Sequence, residues 1–195
     1  MNNLLRRLWR QQHGSLAVET ALALPIVLAA GAVLTDLITV ELEREHMEQR
    51  AGAIASVLAM QSELSRQGLS GLLAATIPDQ NTGSYQMNIA NVRQNRQVYW
   101  QLSRGNNTGI CTDNVVPTGS TWPGELPEVN EESGKENVSM IVVELCRNGS
   151  DITMLGGLTV KNQLKATAVN RVTRNTLTLD ATLAAEAGLE EDADE

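Results

Sequence analysis

One continuous apolar segment near the amino terminus constrains this chain more than any other feature. It runs from Leu16 to Val40 and follows a short polar stretch that carries Arg6, Arg7 and Arg10. A helix rises about 1.5 Å per residue, so a segment of this length reaches across a hydrocarbon core of about 30 Å. The sequence therefore predicts a single helix that inserts into a membrane.

Charges on the two sides of the apolar segment predict its orientation. Arginines precede it, whereas Glu41, Glu43 and Glu45 follow it. Positively charged flanks stay on the cytoplasmic side of a membrane. We therefore expect a protein that crosses the membrane once, with its amino terminus in the cytoplasm and the rest of the chain outside.

An acid, Glu19, interrupts the apolar segment near its start. A carboxylate at the middle of a membrane helix costs on the order of 2.5–3.5 kcal/mol on insertion scales. One explanation is that Glu19 lies close to the headgroups or takes up a proton. The other is that cleavage after Gly14 makes Ser15 the first residue, and the new α-amine of one subunit then meets Glu19 of a neighbour.

The stretch GSLAVETALALPIVL around this acid resembles a type IV prepilin signal. A basic leader ends in glycine, an apolar helix follows at once, and glutamate becomes the fifth mature residue. The amino-acid sequence of this stretch is similar to that of the TadE/TadF-type minor pseudopilins of the tight-adherence (Flp, type IVc) pilus system. Thr20 stands where the major pilins usually have tyrosine, which favours a minor subunit. The matching residues are Gly14, Ser15, Ala17, Val18, Glu19, Ala21, Leu22, Leu24 and Pro25.

This resemblance covers about residues 13–28 and implies a role for each matching position. A prepilin peptidase would cleave at Gly14, and Glu19 would set the register with other pilin and pseudopilin subunits. Pro25 would weaken the helix at a site that can melt on assembly. The protein would help to assemble or prime a pilus at the inner membrane, with a periplasmic head, and the resemblance leaves open whether it enters the extracellular pilus.

Two other interpretations of the amino terminus compete with the prepilin signal. Ala30-Gly31-Ala32 resembles the cleavage site of an ordinary secretory signal, which would release a soluble periplasmic binding protein or hydrolase. Against this, Glu19 would fall inside the apolar region of the signal, and the apolar run continues to Ile38. The remaining alternative is an uncleaved signal anchor that carries an adaptor domain.

Composition and periodicity divide the chain into four parts. We expect a leader at 1–14, a transmembrane and stalk helix at 15–67, a periplasmic α+β head at 68–178 and an acidic disordered tail at 179–195. Gly68 is the predicted stop of the stalk helix. A stalk that packs its apolar face on a sheet is the arrangement that the pilin resemblance implies. Crowded acids are typical of a solvated, disordered end.

The head changes to strand periodicity after Pro78. Alternating segments indicate half-buried strands, whereas a continuous apolar run indicates a central strand. A short second helix is expected at about 70–77. The predicted fold class is therefore α+β, with a long amino-terminal transmembrane helix, a short second helix and a small antiparallel sheet of about four strands. The predicted strands are the alternating segments 84–92, 97–102 and 158–172 and the apolar run 137–146.

Two cysteines, Cys111 and Cys146, are too far apart for a C-x-x-C motif. In an exported head the simplest interpretation is a disulfide bond, whereas in a cytosolic one both would be small core residues. The bond would close a loop of about 35 residues and contribute about 3–4 kcal/mol. Trp122 lies in the long segment between them, and we expect it to form a lid on the sheet rather than a contact for a partner.

The sequence offers little for catalysis, metal binding or nucleic acid recognition. Glu43 and His46 have the spacing of a di-iron helix motif, but the only other histidine is His13, in the leader. Neither a phosphate-binding loop nor zinc-ligand spacing is present. No basic stripe with interleaved aromatic residues is present either. We therefore expect no enzyme, no cofactor, no metal and no nucleic acid partner.

Overall fold

The computed structural model describes residues 13–77, 84–111, 116–127, 138–155, 163–173 and 176–189. Most of the predicted leader lies outside these residues, and so do the side chains of residues 13–16. The described architecture is α+β, as predicted. It comprises one long helix, two further α-helices and a four-stranded antiparallel sheet.

Helix α1 (His13–Met60) is one continuous helix of 48 residues. It passes through Pro25, which removes one helical hydrogen bond and is better tolerated in membrane helices than in soluble ones. The hydroxyl of Thr35 donates to the carbonyl oxygen of Gly31, and that of Thr39 donates to Thr35, both at 2.9 Å. These polar groups are therefore satisfied within the helix.

The surroundings of α1 change at Asp36. Residues 17–35 are exposed, apart from the half-buried Ala32. From Asp36 onward, one face of the helix is buried against the head, with Val40 and Met47 among the residues that recur at helical spacing. The apolar run predicted to extend to Val40 is thus uncovered on all sides only as far as Thr35, and beyond it Leu37 and Ile38 stay exposed while Asp36 and Val40 are buried.

The stalk helix ends earlier than predicted, because α1 stops at Met60 instead of near Gly68. The chain then forms a two-residue strand, β1 (Glu63–Leu64), before helix α2 (Arg66–Thr76) begins. The hydroxyl oxygen of Ser65 accepts a hydrogen bond from the Gly68 amide at 3.1 Å. Ser65 is the N-cap of α2, so the capping serine starts a helix at the position where the glycine alone suggested a stop.

The four predicted strands are confirmed, and they form one antiparallel sheet in the order β3-β2-β4-β5. The central position predicted for the apolar run is correct, since β4 lies between β2 and β5. Residues 156–162, which include the predicted start of the last strand, lie outside the described residues. The strand bounds are β2 (Tyr85–Arg93), β3 (Val98–Gly105), β4 (Ser139–Asn148) and β5 (Gln163–Arg171).

The central strands β2 and β4 are covered on both faces, as the continuous apolar run predicted for β4, whereas the alternating pattern of β2 indicated a half-buried strand. Trp122, only 1% exposed, packs on the face opposite the helices and is the lid that the sequence predicted. Polar residues of β2 such as Gln86 and Asn88 are therefore buried as well. The helix-facing core includes Met87, Ile89, Trp100, Ile141, Leu58 and Leu69.

The carboxy-terminal segment is folded as far as residue 189, which corrects the prediction of a disordered tail from residue 179. Strand β6 (Thr178–Leu179) pairs in parallel with β1, and helix α3 (Ala181–Glu186) follows it. Leu177 and Leu183 are fully buried. Leu177, just before β6, and Leu183, in α3, both reach the core, and the free energy gained by burying them outweighs the tendency of the neighbouring acids to stay in water. Residues 190–195 lie outside the described residues.

Asp180 joins this segment to the start of α2. Its carboxylate accepts hydrogen bonds from the Leu183 amide at 2.8 Å and from the Arg66 amide at 2.7 Å. These bonds, that of Leu183 first, hold the pKa of Asp180 below its ordinary value of 3.8. The stabilisation by the carboxylate is therefore complete above pH 3.8 and is lost as the pH falls through the lowered pKa.

We expect Asp180→Ala to loosen residues 176–189 at neutral pH, because two backbone amides lose their acceptor. Asp180→Asn is the comparison variant, since asparagine still caps a helix but has one acceptor oxygen in place of two, so it loses the charge and can keep only one of the two amides. Protection of the α3 amides from hydrogen exchange should fall several-fold in the alanine variant at pH 7. The wild type should approach the alanine variant well below pH 3.8. Equal protection in all three proteins at pH 7 would contradict this role.

Candidate functional site: the apolar surface of the long helix and its junction with the head

Most of the exposed large apolar side chains of the described structure lie in the part of α1 formed by residues 17–35, here called the apolar surface. It surrounds the helix on all sides, as in a helix that is buried in lipid or in a bundle of helices. By length and composition this is the one described helix able to span a membrane, as an anchor or as a signal sequence. Its large exposed side chains are Val18, Leu22, Leu24, Ile26, Val27, Leu28, Val33 and Leu34.

The predicted processing and assembly residues lie at the start of this surface. Glu19 has an exposed side chain within it, and Pro25 lies further along the same helix. Gly14 and Ser15 lie in the first turn of α1, and their surroundings are outside the described side chains. The structure thus places the acid and the proline on one continuous, uncovered helix.

Asp36 marks the end of the apolar surface. Its side chain is buried, and its two carboxylate oxygens accept hydrogen bonds from the amides of Met154 at 2.7 Å and Leu155 at 3.0 Å. Hydrogen bonds to an ionised acceptor are among the stronger ones in proteins. Asp36 therefore ties the segment after β4 to the helix. Asp36 falls within the apolar run predicted from the sequence, and an acid at the end of such a run was a usable signal for this contact.

A second polar contact joins helix and head two turns further along α1. Glu43 and Arg147 form an ion pair at 2.5 Å, and their side chains are only 17% and 11% exposed. Removing one partner from a pair with so little solvent leaves an uncompensated charge, which is strongly destabilising. Glu43 is therefore engaged by the head, whereas the neighbouring His46 is exposed.

Further contacts fix the direction in which the head extends from the junction. The side chains of Ser56 and Asn170 form a hydrogen bond at 2.8 Å. The amide of Thr173 donates to the carbonyl oxygen of Ala59 at 2.9 Å. Together with the contacts at Asp36 and Glu43, these show that the end of β5 lies far along α1 from the apolar surface. The opposite end of the sheet, where β4 ends, lies next to that surface.

Cys111 and Cys146 lie at disulfide-bonding distance, as predicted. Their sulfur atoms are 2.03 Å apart and their Cα atoms 5.5 Å apart, and both residues are buried. The side-chain oxygen of Gln86 accepts hydrogen bonds from the amides of Ile110 at 2.8 Å and Cys111 at 3.0 Å. The segment before Cys111 is thus held to the sheet twice, by the disulfide bond and by a glutamine that the sequence analysis did not single out.

A buried acid, Glu144, lies beside the disulfide bond. It forms an ion pair with Lys165 at 2.5 Å, and within the described structure its Oε2 atom accepts no hydrogen bond. Glu144 Oε1 also lies 3.9 Å from the sulfur of Cys146. Three potential metal ligands therefore lie close together with Cys111 included. Since both sulfur atoms are used in the disulfide bond, the arrangement is a structural one.

The described head has a shallow depression between β3, residues 116–118 and α3. Its volume is about 440 Å³. Glu186, which lines it, forms an ion pair with Arg104, and the hydroxyl of Thr118 donates to the carbonyl oxygen of Ala187 at 2.9 Å. These polar groups are therefore bonded to other residues of the head, which is typical of a structural depression.

Comparison with known proteins finds no matching family model, no matching curated protein and no matching solved structure. The class of protein is therefore described from its own fold and disulfide bond. It is an α+β head with one disulfide bond, built on the distal half of a single long helix. The proximal part of the same helix is an uncovered apolar rod that is long enough to span a membrane.

Proposed function

We propose that this protein is a minor pseudopilin, anchored in the inner membrane, that takes part in assembling or priming a tight-adherence pilus. The observation that carries the proposal is the continuity of α1 from the apolar surface into the core of the head. One continuous helix thereby carries the head on a rod suited to lipid and to other helices. The prepilin-like stretch that begins at Gly14 adds support from the sequence.

Processing by a prepilin peptidase is the first step of this function. Cleavage after Gly14 removes the basic leader and creates an α-amine at Ser15. The apolar surface then retains the subunit in the bilayer, with the head in the periplasm. Glu19, four residues after the new amino terminus, then lies near the cytoplasmic end of the membrane-spanning part of the helix.

Glu19 sets the register between subunits in the second step. Within a bundle of apolar helices, its carboxylate and the amine of a neighbouring Ser15 each need a partner of opposite charge. Meeting each other satisfies both, and a pair without solvent is strongly destabilised when one member is removed. An arrangement shifted by one turn leaves both charges without this partner. Pro25 lowers the cost of bending the helix as it packs.

We expect Glu19→Leu to insert into the membrane normally but to assemble poorly. Removing one member of a buried ion pair costs about 3–5 kcal/mol, which corresponds to association weaker by a factor of roughly one hundred or more. Membrane fractionation should show wild-type amounts of the subunit, and electron microscopy of the native cells should show few pili. Glu41→Leu is the matched control, because Glu41 is an exposed acid on the same helix beyond the apolar surface. Normal piliation in Glu19→Leu would contradict the proposal.

A further inference from the structure

We infer that the segment after β4, residues 152–155, is a second membrane contact that rests in the outer interface of the bilayer beside α1. Met154 is the side chain that enters the lipid. The inference rests on the anchoring part of the proposed function, namely that the apolar surface spans a bilayer. Anchoring by one helix leaves the orientation of the head relative to the bilayer undetermined, whereas this second contact fixes it.

The depth of this segment follows from its bonds to Asp36. Side chains of a helix point toward its amino terminus, so the carboxylate of Asp36 lies over the turn that precedes its own Cα atom. The amides of Met154 and Leu155 donate to that carboxylate. Ala32, one turn earlier on the same face, is also half-buried. The head therefore reaches back along the helix to the last turn of the apolar surface.

The length of the apolar surface places this turn at the membrane boundary. Residues 17–35 extend about 28 Å along the helix axis, close to the thickness of a hydrocarbon core of about 30 Å. When this stretch is in the bilayer, its last turn lies at the outer interface. The segment bonded to Asp36 then lies at the same depth.

The chemistry of the segment fits an interface between water and lipid. Met154 is 76% exposed, the most exposed large apolar side chain of the described residues. Its flexible thioether chain adapts to irregular surroundings such as disordered lipid. Moving backbone groups toward hydrocarbon costs free energy unless they are hydrogen-bonded. The amides of Met154 and Leu155 meet this condition, because they donate hydrogen bonds to the carboxylate of Asp36. Just before this segment, the carboxylate of Asp151 accepts a hydrogen bond from the amide of Ser84, which belongs to the head.

Two membrane contacts fix how the head stands on the bilayer. Because Arg147 lies against Glu43 and Thr173 against Ala59, the end of the head that holds the disulfide bond faces the membrane. The end that carries Thr173 points into the periplasm. The distal end and the sides of the head then remain accessible to partner proteins.

Nitroxide labels on the full-length protein in vesicles of phosphatidylcholine and phosphatidylglycerol test this inference. Met154→Cys is compared with Leu28→Cys, in the apolar surface, and with Thr173→Cys, an exposed distal site. The native cysteines are bonded to each other and buried, so each variant takes one label under non-reducing conditions. Power-saturation spectroscopy then compares collisions with oxygen, which is enriched in lipid, and with a water-soluble nickel chelate.

The labels at Leu28 and Met154 are both expected to collide more with oxygen than with nickel, with Leu28 the deeper of the two. The label at Thr173 is expected to collide more with nickel. A Met154 label as accessible to nickel as that at Thr173, with Leu28 still in lipid, overturns the membrane contact and leaves the anchor intact. A Leu28 label that favours nickel overturns the anchor itself, and the inference with it.

Asp36→Asn provides a second measurement on the same label. The amide side chain has one acceptor oxygen in place of two, so it cannot accept both backbone amides in the same way. We expect the Met154 label to become more mobile and more accessible to nickel in this background, while the Leu28 label is unchanged. An unchanged Met154 label would overturn the role of Asp36 in holding this contact.

Discussion

Replacing Cys111 and Cys146 together with alanine is expected to destabilise the head by about 3–4 kcal/mol. The disulfide bond closes a loop of 35 residues, and the chain-entropy estimate for such a loop is about 3.8 kcal/mol. Small domains are stable by only about 5–15 kcal/mol, so this loss is a large share of the total. Alanine is preferred to serine because both sites are buried and a hydroxyl there would need a hydrogen-bond partner.

Urea unfolding of the full-length protein in detergent measures this effect through tryptophan fluorescence. Two of the three tryptophans, Trp100 and Trp122, lie in the core of the head. The midpoint should fall markedly in the double alanine variant, and reduction of the wild type should lower it to a similar extent. A double variant with the wild-type midpoint would mean that the bond does not stabilise the head.

Trp100→Ala is expected to cost about 3–5 kcal/mol, the usual range for a large aromatic residue in a core. Trp100 is fully buried on the face of the sheet that packs against the helices. Its ring nitrogen also donates to the carbonyl oxygen of Leu177 at 3.1 Å. The alanine variant therefore loses packing and an anchor of the carboxy-terminal segment at once.

Trp100→Phe separates the two losses, because it keeps an aromatic ring and removes the donor. We expect this variant to lose about 1 kcal/mol from the hydrogen bond, and somewhat more from the smaller ring. Limited proteolysis should cut residues 176–189 faster in both variants than in the wild type. If the phenylalanine variant is as unstable as the alanine variant, packing is not what Trp100 mainly supplies. If both variants resist proteolysis as the wild type does, Trp100 does not anchor the segment.

Local patterns predicted the strands because each strand carries its own signal. The alternation in β2 and β3 and the continuous apolar run of β4 are visible within ten residues, and all three strands are where these patterns indicate. The disulfide pair was predictable for another reason. A chain with two cysteines and an exported head has one intramolecular pairing available.

The contacts that join helix and head were not predictable from local patterns. Asp36 bonds to an amide 118 residues further along the chain, and Glu43 pairs with an arginine 104 residues away. The local sequence does not identify the partner of either acid, although an acid at the end of an apolar run, such as Asp36, differs from an ordinary solvated one. The candidate membrane contact at Met154 depends on the first of these pairs, so it too required the structure.

Two sequence predictions failed because a strong local signal was outweighed by packing or capping. The acids after residue 179 suggested a solvated tail, but Leu183 reaches the core from between them. Gly68 suggested a helix stop, but Ser65 caps a new helix across it. Leu183 lies three residues after Asp180, and Ser65 lies three residues before Gly68. In both cases a residue about one helical turn from the misleading signal determined the local structure.

Intact mass of the protein from native membranes, with fragmentation of its amino-terminal peptide, shows whether the leader is removed after Gly14. For a pseudopilin we expect a chain that has lost fourteen residues and begins at Ser15. A chain that still begins at Met1 would be an uncleaved anchor, and one that begins near Thr35 would be a protein released by an ordinary signal peptidase. Either of these two results would contradict the pseudopilin assignment.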